Sequence, residues 1–507
     1  MNKKLVLLII VCLVLSLFFS SCTNSAIDGQ NKEYLPLPVA QTDIAAPRGD
    51  SKLKYFSSVS LYLPDRYTNT LRVLKMPLEL SVVDNAYEVV INNLLKFEGD
   101  DNLVAPTFNN AIGLFGNNPI EVSGNVASVN LTANALRLNH DQFYLLSSSI
   151  TETLCQFIGI DYVNILVADK AVALDMDTGI PMGCLKRESD YNSFANHIKL
   201  LESRNRANKE GKLIEIPVTL YFPSNSGKGI VPETRSISFP NVNVVDMTAK
   251  IIRELEKAKS GSQLPNFYDL LSTKPEVRDW KAGGIVVTLR FKSVFKDVLK
   301  GSNLDLNTAI AMIGNSLSTF IPNLAGIKVY IGDSMLTKLE IDSTEIEFDN
   351  GLINRPSLSG FIVKDIVLFY SDINCEKLVE VKREVKENLN IGPRIKLLQL
   401  FKGKTNTDFS IIEAQNIINF EINDAEILGL SLEGNTLAIN FAQSVLNKLK
   451  TVDKNQEKLF VYSIVNSICI AKEIKKVMFF FDGKAVDYIN GKMFWQSEFM
   501  PYLKIVH

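Results

Sequence analysis

Val59-Ser60-Leu61-Tyr62-Leu63-Pro64 is a short apolar strand that the chain writes twice more, as Val218-Thr219-Leu220-Tyr221-Phe222-Pro223 and as Ile366-Val367-Leu368-Phe369-Tyr370-Ser371. Downstream of each lies a glycine, then a strand that ends apolar-x-apolar. These are Gly124 with Val129-Asn130-Leu131, Gly284 with Leu289-Arg290-Phe291, and Gly434 with Ile439-Asn440-Phe441. Glycine and final apolar residue stand seven positions apart each time. A helix and a strand then close each stretch, from Ile150 to Val172, Ile313 to Leu336 and Ile464 to Val486. Three cues recurring in one order mark an internal repeat, and such a repeat governs every other reading of the fold.

Working outward, copy one covers residues 58–175. Alternating apolar residues predict a strand over 71–82. Asp84 reads as the cap of a helix over 85–97, and strand 126–131 precedes a helix over about 141–158. A last strand starts near Tyr162, and Asp169-Lys170 reads as a tight turn. Copy two spans 216–341, with a helix over 247–259 behind Asp246 and an insertion at 261–282. Copy three spans 365–507, with a strand over 378–385 and a helix over 394–401. This order fits an α/β fold of the α+β two-layer sandwich type, in three tandem repeats, each a small mixed sheet covered by two helices. Between the copies lie a charged, helix-prone connector (176–215) and a polar linker (342–364).

The start of the chain reads as a lipoprotein signal peptide over 1–22. Lys3 and Lys4 precede an apolar run at 5–19, and Ser20-Ser21 leads into Cys22, the expected lipidation site. Phe19 stands where an aliphatic residue is usual. The run is shorter than the roughly 20 residues of a membrane span. A polar tether (23–57) would then hold the body, lipid-anchored, at the extracytoplasmic face of the cell membrane. Net charge is −2, without the basic stripe of a nucleic-acid-binding surface. Cys155 and Cys469 occupy matching places, with Ser318 in copy two, and read as small buried hydrophobes. No CxxC spacing or dense disulfide framework is present.

Copy three resembles the GerM-type domain of sporulation and spore-germination proteins. The resemblance rests on Ile366-Val367-Leu368-Phe369-Tyr370, Leu397-Leu398-Gln399-Leu400-Phe401-Lys402-Gly403, Leu437-Ala438-Ile439-Asn440-Phe441, the run from Phe460 to Ile468, and Val477-Met478-Phe479-Phe480-Phe481-Asp482-Gly483. Copies one and two follow by pattern, with Asp169-Lys170 and Asp333-Ser334 in place of Asp482-Gly483. The resemblance implies a non-catalytic envelope module that associates with envelope or sporulation proteins through sheet and helix faces. It brings no catalytic motif.

The residues agree. His140, His197 and His507 lie apart and form no HExxH, and GxSxG, Walker A and GxGxxG patterns are missing. Cys184 reads as an exposed thiol with no base to activate it. The acidic run Glu340, Asp342, Glu345, Glu347 and Asp349 lacks the order of a calcium loop and reads as a solvated linker. No catalytic residue, cofactor or metal is expected. Phe479-Phe480-Phe481 alternates faces, so Phe480 points away from its neighbours and, with Trp495 in the C-terminal run, is a candidate contact surface; the alternative is a strand buried on both faces and a C-terminal run that completes the third domain. The leading expectation is a scaffold or assembly factor in an envelope complex. The alternative is a lipoprotein that binds a cell-wall polymer such as peptidoglycan, and a wall-remodelling enzyme comes third.

Overall fold

The computed structural model describes residues 44–50, 52–68, 70–175, 178–187, 193–257, 264–281, 283–491 and 493–507. Cys22, the leader and residues 23–43 lie outside the described residues. Residues 40–507 form one compact unit.

Strand β1 (Gly49–Asp50) is followed by a long antiparallel hairpin of β2 (Lys54–Pro64) and β3 (Leu71–Ser81). Helix α1 (Ala86–Leu95) comes next, capped by Asn85, one residue later than Asp84. Strands β4 (Ile120–Ser123), β5 (Val126–Leu131) and β6 (Tyr162–Val167) make a mixed sheet, β5 antiparallel to β4 and parallel to β6. The parallel crossover is helix α2 (His140–Leu154), and short strands β7 (Lys170–Ala171) and β8 (Leu185–Lys186) border β6.

Beyond the connector helix α3 (Ser193–Lys209) the order recurs. Hairpin β9 (Ile214–Pro223) and β10 (Ile230–Phe239) leads to α4 (Val244–Glu254), capped by Asn243. Strand β11 (Glu276–Asp279) lies inside the stretch read as an insertion. It pairs antiparallel with β12 (Ile285–Phe291), which runs parallel to β13 (Leu324–Ile331) after helices α5 (Phe295–Gly301) and α6 (Leu306–Phe320). A short strand β14 (Ser334–Met335) turns back on β13. The expected polar linker is built structure. Strands β15 (Lys338–Ile341) and β16 (Thr344–Glu347) pair, and helix α7 (Arg355–Leu358) buries Arg355, Leu358, Phe361 and Ile362 with its flank. Its acidic residues work as ion-pair partners, Glu345 with Lys338 (2.6 Å) and Asp342 with Lys386 (2.9 Å).

The last stretch opens with hairpin β17 (Val363–Asp372) and β18 (Leu378–Lys386), followed by α8 (Pro393–Phe401) and β19 (Ala414–Gln415), which borders β17. Strands β20 (Ile427–Glu433), β21 (Thr436–Phe441) and β22 (Lys476–Phe481) again pair antiparallel and then parallel, with α9 (Gln443–Leu449) and α10 (Lys454–Ile468) between the last two.

One contact explains how hairpin and crossover helix fit together. A hairpin backbone N–H that turns onto a buried helix needs an acceptor there. A helix hydroxyl supplies it each time: Thr153 Oγ1 accepts from the Tyr62 N–H (3.1 Å), Ser316 Oγ from Tyr221 (2.9 Å), and Ser467 Oγ from Phe369 (3.0 Å). Tyr62, Tyr221 and Phe369 are the fourth residues of the three quoted strands. In the first two stretches the turn after the parallel strand sits one position earlier than the sequence reading, and in the third it falls on the pair that was read. Val167 pairs with Lys170, Ile331 with Ser334 and Phe481 with Lys484, so the two-residue loops are Ala168-Asp169, Gly332-Asp333 and Asp482-Gly483. Ala168, Asp169, Asp482 and Gly483 all take positive φ, as type I′ loops require. The buried middle residue of apolar-x-apolar pins two of them: Asn130 Oδ1 accepts from the Asp169 N–H and Asn440 Oδ1 from the Gly483 N–H, both at 3.0 Å.

Residues 44–50 were expected within the tether, but they lie along the third sheet. Strand β1 runs parallel to β20, Asn440 Nδ2 donates to the Pro47 carbonyl (2.8 Å), and Arg394 grips Asp50 (2.6 Å). This approach needs Gly429, because a Cβ there would sit 2.6 Å from the backbone N and O of Gly49. Gly429→Ala should therefore lift the strap at a cost of about 1–3 kcal/mol. Limited trypsin digestion would read this as faster cleavage at Arg48 and Lys52, with the rest of the chain intact.

Candidate functional site

A cleft of about 870 Å³ opens where residues of all three stretches meet. Tyr55, Asp84, Tyr87 and Phe157 come from the first, Pro223 and Glu233 from the second, and Asp365, Glu384, Glu387 and Glu473 from the third. Large clefts with converging polar groups are the default place to look for function.

Two of its carboxylates are already engaged. Glu384, on β18, accepts from Ser224 Oγ (2.7 Å), the Ser226 N–H (2.8 Å) and Ser226 Oγ (2.5 Å), all on the turn between β9 and β10. Glu387, just past β18, accepts from the Val122 N–H on β4 (2.8 Å) and from Asn118 Nδ2 (2.7 Å), and Lys364 Nζ donates to its carbonyl (2.6 Å). One short segment of the third stretch thus clamps both others. Ser123 Oγ adds a bond to the Val363 carbonyl (2.5 Å), and Arg355 forms a buried fork with Glu121, Nη1 to Oε1 at 3.3 Å. Asn164 Nδ2 on β6 reaches Thr219 Oγ1 on β9 (3.1 Å), so the outer face of the first sheet packs on the second hairpin.

The remaining wall is rich in acceptors. Burial, then the charge of Glu473, raises the Tyr55 hydroxyl, and the same two causes, followed by Glu387, raise Tyr87. Burial and the facing Glu384 raise Asp365, its cross-strand partner in the hairpin.

Burial also raises Glu387, and the Val122 N–H, Lys364 and Asn118 pull it back only in part. An acid with a raised folded pKa binds its proton more tightly when folded. Its ionisation therefore costs stability above the folded pKa, and that cost is relieved as pH falls through the folded pKa towards the ordinary glutamate value. Glu387→Gln removes the titration. Across that window wild type should gain melting temperature relative to the variant as pH falls; parallel melting curves would contradict this.

The contact surface expected from Phe480 and Trp495 is corrected. Phe480 is 6% exposed because Ile44 and Ala46 of the strap pack with it, Ala438 and Met478. Trp495 is fully buried against Phe479, Phe481 and Phe499 and donates Nε1–H to Glu457 Oε1 (2.7 Å). Cys184 is also buried, and burial pushes its thiol up to about 11. Cys155 and Cys469 sit at the C-caps of α2 and α10, where Cys155 packs in the core as expected and Cys469 is half-buried. His140 opens α2, and His507 pairs with Asp372 (3.0 Å). Among the described residues no group of three or more His, Cys, Asp or Glu could hold a metal ion, and no helix is long and apolar enough to cross a membrane. Sequence reasoning missed Glu384 and Glu387, whose partners in the other two stretches lie more than a hundred residues away.

Residues 367–487 match the model of the Germane family, described as sporulation and spore germination. No curated protein matches the chain. Among solved structures, the tandem GerMN domains of the sporulation protein GerM from Bacillus subtilis align at 16% identity over 59% of this chain and 99% of that one, with a TM-score of 0.21. The first GerMN domain of the same protein aligns at 16% identity over 22% of this chain and 83% of that one, with a TM-score of 0.18.

Proposed function

We propose that this chain is a membrane-tethered, non-catalytic scaffold of a cell-envelope complex serving sporulation or spore germination. In this reading it holds three copies of one α/β unit, over residues 58–175, 216–341 and 365–507. The Germane match over 367–487 carries the reading. The recurring hairpin, sheet order and helix-hydroxyl bond support the three-copy assignment. Lipid on Cys22 sets the location, and the clamped body presents its faces at fixed spacing to envelope or sporulation proteins.

Binding of a wall polymer such as peptidoglycan is the second reading. The cleft favours it, with Tyr55, Tyr87 and Phe157 beside carboxylates. A wall-remodelling enzyme would need two carboxylates free to act on a glycosidic bond; Glu384 and Glu387 are spent on the clamp, which leaves Asp84, Asp365 and Glu473 on the cleft wall for that third reading.

Crosslinking and pull-down of the chain from sporulating and from vegetative cells, with Cys22→Ala beside it, separates the readings. The scaffold predicts a reproducible set of envelope proteins that is lost when Cys22→Ala releases the chain from the membrane. Wall fragments alone, with no protein partner at either stage, would overturn it in favour of polymer binding.

A further inference from the structure

A second pocket, of about 320 Å³, lies between α2, α3 and the start of β9, away from the three-way cleft. Arg204 of α3 lines it and is 4% exposed. Its Nη1 donates to two consecutive carbonyls, Pro181 (2.8 Å) and Met182 (3.0 Å), which fixes the plane of the guanidinium. Among the described residues Nε is buried without a partner and Nη2 donates to no acceptor. That edge is the side-on fork with which arginine grips a carboxylate through two parallel bonds.

The acids on the pocket wall are engaged elsewhere. Glu152 pairs with Arg187 (3.5 Å), and Glu215 accepts from Ser236 (2.8 Å) and Ser238. Burial pulls Arg204 down to about 10, which leaves it charged at neutral pH. A buried cation held by carbonyls alone lacks the counter-charge such groups normally keep. Met182, Leu185, Leu200 and Pro217 supply the apolar part of the wall, and Tyr144, Ser148, Thr151, Lys186 and Ser236 complete it.

We propose that this pocket binds one carboxylate carried on an apolar body, gripped by the Nε and Nη2 edge of Arg204. A dianionic phosphate fits less well, because the acid Glu152 stands on the same wall. A free organic acid and the C-terminal carboxylate of a peptide share the proposed chemistry.

Saturation-transfer NMR and calorimetry on the full chain test this with N-acetyl-leucine, its uncharged twin N-acetyl-leucinamide, and a short peptide ending in leucine. The acid should bind and the amide should not. Arg204→Lys keeps the charge but loses the fork, and should weaken binding about tenfold or more. Leu200→Phe fills the pocket while leaving the arginine in place; it should cause a similar loss and keeps the test valid if Arg204→Lys folds poorly. Equal binding of acid and amide, no transfer to the acid, or undiminished binding in Leu200→Phe would overturn the site. Tighter binding of the peptide than of N-acetyl-leucine would identify peptide C-termini as the source; equal or weaker binding would identify a free acid. Either result supports the site.

Discussion

Trp495→Ala should destabilise the third stretch by about 3–5 kcal/mol, the range for removing a large buried aromatic. The indole fills the space among Phe479, Phe481 and Phe499, with ring centroids 5.4, 5.5 and 6.3 Å away. It is also the hydrogen-bond donor to Glu457, a fully buried carboxylate in the first turn of α10 whose other oxygen has no partner among the described residues. The helix N-terminus favours a negative charge there but does not replace the lost bond. Trp495→Phe separates the two effects. It keeps most of the packing and loses only the donor, so about 1–3 kcal/mol should remain. Urea unfolding followed by circular dichroism would check both, and similar costs for the two variants would mean that packing contributes little.

Arg355→Met should cost a comparable 3–5 kcal/mol, because it strands the buried carboxylate of Glu121. The two side chains are 6% and 8% exposed and meet as a fork between α7 and β4. Replacing both with methionine should recover most of the loss, since the desolvation penalty of the pair disappears with its attraction. A double variant no more stable than Arg355→Met alone would show that the fork acts by shape rather than charge. Arg355 lies inside the stretch read as a polar linker, so this variant also tests whether residues 342–364 are part of the body.

Strands with one buried face were legible because their apolar residues alternate, and strand 126–131, buried on both faces, still stands where the repeat put it. Helix starts slipped where several capping residues follow one another: Asn85 caps rather than Asp84, and Asn243 rather than Asp246. Strand β11, Glu-Val-Arg-Asp, is polar because it forms the edge of its sheet, so periodicity could not separate it from an insertion. Phe480 shows the harder limit. Alternation gave the face it points to, but its cover, Ile44 and Ala46, comes from the opposite end of the chain. The clamp was invisible for the same reason. Glu384 and Glu387 look like surface acids on a strand end until the turns holding Ser226 and Val122 are folded against them.

The measurement that bears most directly on a single clamped body is small-angle scattering from the chain without residues 1–39. A single body of this length should give a radius of gyration of about 23 Å. Three units strung on linkers would give roughly 30 Å or more, and that value would contradict the clamped scaffold.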